Sequence, residues 1–306
     1  MPTKKSKQFR SPIIFGTLLS NFNILKKKFL NISLKGGIGN QLFQFVAAYS
    51  LSRKLNMDFN VDVAGYKNNK HRQFKLLSFL RIKIKIIKSK NFFLRKFEKV
   101  YQKIFFSNFK EKNPFYYDSA IKNLDNRKNI NLLGFFQSEK YFYMDRNKII
   151  KLFNFNKKKS SKIIELESAI LKSQSLAIHV RGGDYVDFEK ENTGYGSLSR
   201  LYYKKAMKII TKNLRNFDIY IFTDDKSYFY KSNFLNTNNC TIVDSGSDIN
   251  DLYLFSLCKN FIISNSTYSW WGAFLSMHKN KIIIAPKKWK SLDSSEANYY
   301  RYRYYI

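Results

Sequence analysis

The chain has 306 residues, 44% of them hydrophobic, so it can bury a sizeable core and disorder is excluded as a description of the whole. Lys and Arg number 55 against 22 Asp and Glu, a formal charge of +33, and 17% of residues are aromatic. That balance points to an anionic partner, whether nucleic acid, a membrane surface or a phosphate-bearing small molecule, while two cysteines, Cys240 and Cys258, exclude a disulfide framework and fit a reducing compartment.

No run reaches the roughly 18 apolar residues of a membrane-spanning helix. The stretch Ile13 to Leu19 is interrupted by Gly16 and Thr17 and has no small-residue cleavage site behind it, so a cytoplasmic protein is expected. Phe15, Leu18, Leu19, Phe22, Leu25 and Phe29 recur at helical spacing beside Lys26, Lys27 and Lys28. This pattern suits a helix lying peripherally on a membrane, and equally a basic extension or a helix docked on the protein's own surface.

From Asn31 onward, β-rich runs alternate with helical ones. A strand at Ile32 to Lys35 meets the glycine loop Gly36-Gly37-Ile38-Gly39-Asn40, followed by a helix from Gln41 to Leu55 and a strand from Asp58 to Val63. Residues 67 to 112 hold 15 Lys or Arg against Glu98 and Glu111, with a strand expected at Ile82 to Ile87 and a helix near Phe92 to Phe105. A strand at Leu132 to Gln137 leads into a helix from about Glu139 to Lys157-Lys158-Lys159, the best linker.

Beyond the linker the expected order is helix Ser161 to Lys172, strand Leu176 to Val180, helix Leu201 to Leu214 and strand Ile219 to Thr223. It continues with strand Thr241 to Val243, helix Ile249 to Cys258, strand Phe261 to Ser264, helix Ser269 to His278 and strand Lys281 to Ala285. Such alternation predicts parallel sheets covered on both faces. The reading is two doubly wound halves, residues 31–156 and 157–290, between a basic extension, 1–30, and a tyrosine-rich tail, 291–306, packed across the body.

In open parallel sheets, ligands bind beyond the carboxyl ends of the strands, at helix N-termini. The loop of Gly36, Gly37, Gly39, Asn40 and Gln41 allows close backbone approach and feeds a helix whose free N–H groups suit an anion, although the same glycines make a tight turn with no ligand. In His179-Val180-Arg181-Gly182-Gly183-Asp184, His179 and Arg181 share a strand face. The guanidinium can grip a phosphate through two hydrogen bonds. A core histidine beside an Arg181–Asp184 ion pair is the plainer alternative.

Asp224-Asp225 ends another strand and reads as a helix cap before it reads as a metal ligand pair. Ser264, Asn265, Ser266, Thr267, Tyr268 and Ser269 offer hydroxyl and amide donors at a strand-to-helix turn, ahead of Trp270-Trp271. His71, His179 and His278 are isolated, and no metal-ligand spacing, Walker loop or G-x-S-x-G elbow occurs.

Four ordered segments resemble the bacterial α-1,2-fucosyltransferases: 35–44 (KGGIGNQLFQ), 134–142 (GFFQSEKYF), 179–185 (HVRGGDY) and Asp251-Leu252 with 264–273 (SNSTYSWWGA). The resemblance implies a GT-B fold, two Rossmann-like domains facing across a cleft, and inverting transfer from GDP-fucose held mainly by the C-terminal half. It further implies no metal cofactor and an oligosaccharide or lipid-linked glycan acceptor in surface polysaccharide synthesis. The family's His-x-Arg-Arg-x-Asp motif maps onto His179, Arg181 and Asp184, with Gly182 in place of its second arginine. His179, Arg181 and Asp184 are therefore the expected catalytic group, and the base that takes the acceptor proton stays open among His179, Asp184 and Asp62. Nucleic acid is not an expected partner, since no recognition motif accompanies the charge.

Overall fold

The computed structural model describes residues 27–67, 69, 72–87, 104–114, 116–155, 159–183, 196–233, 240–287, 289 and 304–306. The extension up to residue 26, the expected helix near Phe92 as far as residue 103, and Asp184 lie outside the described residues.

Five parallel strands, β1 (Phe29–Ser33), β2 (Asp58–Asp62), β3 (Lys85–Ile87), β4 (Phe106–Lys110) and β5 (Asn129–Leu133), form one sheet in the order β3-β2-β1-β5-β4. Six more, β6 (Ser175–Val180), β7 (Asp218–Thr223), β8 (Cys240–Val243), β9 (Asn260–Ile262), β10 (Ile283–Ala285) and β11 (Tyr304–Tyr305), form a second in the order β11-β10-β9-β6-β7-β8. Parallel neighbours need crossovers. Helix α1 (Ile38–Lys54) links β1 to β2, and α2 (Arg146–Ile150) and α3 (Ser161–Lys172) lead from the first sheet to the second. There α4 (Arg200–Asn213), α5 (Lys226–Ser232), α6 (Asp248–Leu257) and α7 (Thr267–Leu275) follow β6, β7, β8 and β9 in turn.

In both sheets the chain runs outward on one side of its first strand and then returns to the other side. The first sheet therefore reverses between β1 and β5, the second between β6 and β9, and such switch points leave a crevice beyond the strand ends. The segments 35–44, 134–142, 179–185 and 264–273 lie at the ends of these four strands, and Asp251-Leu252 lies in α6 after β8.

The sheets keep register by different means. In β1, Leu30 and Ile32 are buried while Phe29, Asn31 and Ser33 alternate with them on the other face. On that face Asn31 is registered against Asn60 and Asn131. An amide chain runs through them: Asn60 Nδ2 donates to Asn31 Oδ1 (2.9 Å), Asn31 Nδ2 to Asn131 Oδ1 (2.9 Å), and Asn131 Nδ2 to Asn108 Oδ1 (2.8 Å). A one-residue slip would carry every amide to the opposite face. By contrast β6 is buried at all six positions, as expected of a strand covered on both faces.

The halves do not each have a separate core. One apolar core runs from β1 and α1 through α7 to β10, and a smaller one lies on the other face of the second sheet. At the joint, Phe43 meets Trp270 and Trp271 at ring separations of 4.5 and 5.2 Å, and Phe142 lies 5.7 Å from Trp271. A Cβ on Gly39 would stand 2.5 Å from the Thr267 carbonyl carbon, so the first turns of α1 and α7 touch backbone to backbone.

Several sequence expectations need correction. The strand at Leu132 to Gln137 ends at Leu133, because buried Glu111 accepts the N–H groups of Phe135 (2.7 Å) and Phe136 (3.0 Å) and turns the chain there. The long helix from Glu139 reduces to a 3-10 turn, Glu139–Tyr141, and short α2, because Ser138 and Asp145 cap separate starts. Strand β4 has no sequence expectation, helix α5 is expected only through its Asp225 cap and without bounds, and β3 is shorter than Ile82 to Ile87. Tyr304–Tyr305, expected in a packed tail, pair with β10 as an edge strand.

Candidate functional site at the two switch points

The four switch-point loops, together with the loops after β7 and β8 and the segment Arg72–Lys75, line an open cleft of about 890 Å³. On the N-terminal wall, Gly36 takes a left-handed backbone (φ 82°), and its carbonyl accepts from Tyr66 Oη (2.8 Å) and Gln41 Nε2 (3.2 Å). Gly37 then caps α1 without a side chain, so the free N–H groups and partial positive charge of that helix face the cleft. Asn40 accepts from Gln137 Nε2 at 2.9 Å, tying this loop to the one after β5.

On the C-terminal wall Arg181 follows β6 with its Nη1 2.8 Å from Asp224 Oδ2, while the other Asp224 oxygen accepts the Gly182 N–H at 3.0 Å. One carboxylate thus fixes both the guanidinium and the loop behind it. Asp225 caps α5 through the Tyr228 N–H (2.9 Å), as the capping reading expects. Tyr228 packs so closely that a Cβ on Gly182 would lie 2.9 Å from it.

His179 is 3% exposed, its Nδ1 2.6 Å from Ser264 Oγ and its ring 5.5 Å from that of Tyr268. Burial, helped by the Arg181 charge, pushes its pKa down to about 3, so the imidazole is uncharged at neutral pH. Ser266 caps α7, the second helix N-terminus at the cleft.

The acids that line the cleft among the described residues, Asp224, Asp244, Asp248 and Asp251, all sit on the C-terminal wall. Asp244 pairs with Lys226 (2.5 Å), and Asp251 accepts from the Ser245 N–H (2.9 Å) with burial holding its pKa above the usual range. Asp248 receives Lys75 Nζ on both oxygens, at 2.9 and 3.0 Å, across the cleft mouth. Among the described residues no group of three or more His, Cys, Asp or Glu could hold a metal ion.

Of the expected site residues, Gly36, Gly37, Gly39 and Asn40 line one wall, and His179, Arg181, Ser266, Thr267 and Tyr268 the other. Gln41, Ser264, Asn265 and Ser269 are buried behind the lining instead. Gln41 is turned inward by α1, Ser264 Oγ is engaged by His179, Asn265 Nδ2 donates to the Gly196 and Trp289 carbonyls, and Ser269 Oγ to the carbonyls of Ser264 and Ser266. These four shape the loops rather than face the cleft. Asp62 is not among the residues that line the cleft and accepts from the Ala64 N–H (2.9 Å) and Ser33 Oγ (3.0 Å).

Arg72, Gln73 and Lys75 also line the cleft, although the sequence pattern did not single them out within their basic run.

Two doubly wound parallel sheets joined in this way, with a cleft at their switch points, form a fold of the GT-B type. The same fold occurs in NodZ α-1,6-fucosyltransferase co-crystallised with GDP (TM-score 0.51, 15% identity, 82% of this chain and 93% of that one). It recurs in a second structure of NodZ, from Bradyrhizobium (TM-score 0.51, 15% identity, 82% and 92%). The model of glycosyl transferase family 11 matches residues 23–305, and the chain belongs to that family. It is 29% identical over 267 residues to an α-1,2-colitosyltransferase of Escherichia coli, covering 84% of this chain and 90% of that protein. It is likewise 29% identical over 282 residues to the O-antigen biosynthesis glycosyltransferase WbnK of Escherichia coli, covering 84% and 93%.

Proposed function

We propose that this glycosyltransferase moves L-fucose from GDP-β-L-fucose to the 2-hydroxyl of a terminal galactose-type acceptor, with inversion, in the synthesis of O antigen or another surface polysaccharide. The observation that carries the reading is Arg181, clasped by Asp224 in a cleft that the N-termini of α1 and α7 also line. As the bond from sugar to diphosphate breaks, negative charge builds on the leaving GDP. A guanidinium already held in place and two helix N-termini stabilise that charge without reorganising. The acceptor hydroxyl attacks from the opposite face of the sugar and gives up its proton to water in the open cleft, which turns the β-linked donor into an α-linked product and releases GDP. No divalent cation is needed in this scheme, since the protein's own positive groups face the diphosphate.

The acceptor is a glycan, carried on an oligosaccharide or a lipid. The chain works in the cytoplasm, with its charge of +33 against an anionic membrane face or a pyrophosphate-linked acceptor. Flotation with anionic liposomes at low salt tests that placement, and absence of binding overturns it.

A second reading, a GDP-sugar other than fucose, is supported by the likeness to a colitosyltransferase. The phosphate-facing residues do not read the sugar. Incubation with GDP-fucose and competing GDP-sugars, a panel of β-galactoside acceptors and EDTA, followed by linkage analysis of the product, tests both. The first reading expects an α-1,2-fucoside. Transfer only from another GDP-sugar favours the second, and neither transfer nor GDP binding overturns both.

A further inference from the structure

The turn after β5 is a strained piece of backbone that the donor scheme above does not use. Glu111, 7% exposed, accepts the N–H groups of both Phe135 (2.7 Å) and Phe136 (3.0 Å). Phe136 has a left-handed backbone (φ 52°), which a bulky side chain adopts only where its surroundings impose it. Glycine is required at position 134, since a Cβ there would stand 2.6 Å from that of Glu111.

This turn sends two neighbouring rings to different places. That of Phe136 is fully buried, edge-on to Tyr141 at 5.2 Å and stacked with Phe109 at 6.3 Å. Phe135 is instead partly exposed and lines the cleft on its N-terminal wall. Lys35 Nζ stands over the Phe135 ring, 4.2 Å from its centre. The Lys35 backbone is in turn clamped at its N–H and carbonyl by the buried Gln44 amide, at 2.8 and 3.0 Å. The ring is thus held between two anchored loops of the N-terminal half.

Fixed amides lie close to it in the chain. Gln137, two residues on, also lines the cleft and donates to Asn40 Oδ1 at 2.9 Å. An aromatic ring with placed amides suits a sugar, which has apolar and hydroxylated faces, better than it suits a phosphate. A galactose-type pyranose carries its axial hydroxyl on one face and leaves a contiguous patch of C–H groups on the other.

We infer that Phe135 is the platform of the acceptor subsite, its ring stacked on the apolar face of the acceptor's terminal sugar, with Gln137 and Asn40 beside the hydroxyls. The donor's diphosphate then meets Arg181 on the opposite wall. This rests on the galactoside reading above.

The test is transfer from GDP-fucose to methyl β-galactoside by the full chain and its F135A, F135L and F135Y variants, alongside GDP titration and thermal unfolding. F135A is expected to raise the KM of the acceptor about 5- to 30-fold, with GDP affinity and donor KM within about twofold of wild type. F135L, apolar but without a ring, falls close to F135A, and it carries the comparison if F135A unfolds. F135Y keeps the stacking face and stays within about threefold of wild type. An acceptor KM unchanged in F135A or F135L, or raised as far in F135Y as in F135L, overturns the assignment. A loss of GDP affinity as large as the rise in acceptor KM also overturns it, by giving the ring to the nucleotide base. A wild-type chain that binds GDP but transfers to no β-galactoside overturns the galactoside reading itself, and the subsite with it.

Discussion

The two walls of the cleft come from sheets of the same winding, yet they carry different chemistry. The C-terminal wall has β6, buried at all six positions, at its centre, and it carries Arg181 paired with Asp224 and Lys226 paired with Asp244. The N-terminal wall grows from a sheet with an amide chain across one face, and it presents a glycine loop, a helix N-terminus and Arg72. Division of labour follows from the physics. The fully buried strand β6 and the Asp224 carboxylate hold a preorganised guanidinium, while the glycine loop offers backbone N–H groups that approach a ligand closely.

The largest expected effect breaks the C-terminal side. Arg181→Ala should lower transfer at least about 100-fold while the protein stays folded, measured as GDP release together with thermal unfolding; a folded, fully active variant would remove Arg181 from its role. The next separates two glycines of one loop. Gly39→Ala sets a Cβ 2.5 Å from the backbone of Thr267 and should cost about 2–3 kcal/mol by urea denaturation. At Gly37 the nearest neighbour is Arg72 Nη1 at 4.0 Å, and Gly37→Ala should stay within about 0.5 kcal/mol. Equal costs would show that the halves do not meet through Gly39.

His179 gives a pH signature on the C-terminal side. Its pKa falls from the ordinary 6.5 to about 3 in the fold, so the unfolded chain binds the extra proton between those values. The contribution is complete above pH 6.5 and is lost as pH falls toward 3, by about 1.4 kcal/mol per unit. Between pH 7.5 and 5, wild type should lose about 2 kcal/mol more than His179→Gln; parallel losses would mean that the imidazole is charged in the fold. The smallest effect lies in the N-terminal sheet. Asn131→Ala removes the acceptor of Asn31 and the donor to Asn108, and should destabilise by about 1–2 kcal/mol in denaturant titration.

The same contrast governs what could be read from the sequence. In the C-terminal half, apolar strands between helical runs gave bounds within one to three residues, from Ser161–Lys172, matched at both ends, to Thr267–Leu275. In the N-terminal half, Gly134-Phe135-Phe136 looked like strand because aromatic residues favour it. The residue that ends β5 is Glu111, more than 20 positions earlier, and its reach is a tertiary fact. Gln41 sat in a ligand-type loop, but only the helix phase shows that it points inward. Arg72 was one cation among 15 in its stretch, and nothing local distinguished it.

The most direct test of the donor site is calorimetric titration of GDP into the full chain in EDTA, repeated with Arg181→Ala. Saturable binding at one site, lost or weakened at least about 10-fold in the variant, is the predicted result. No binding by the wild type, or binding untouched by the substitution, would contradict it.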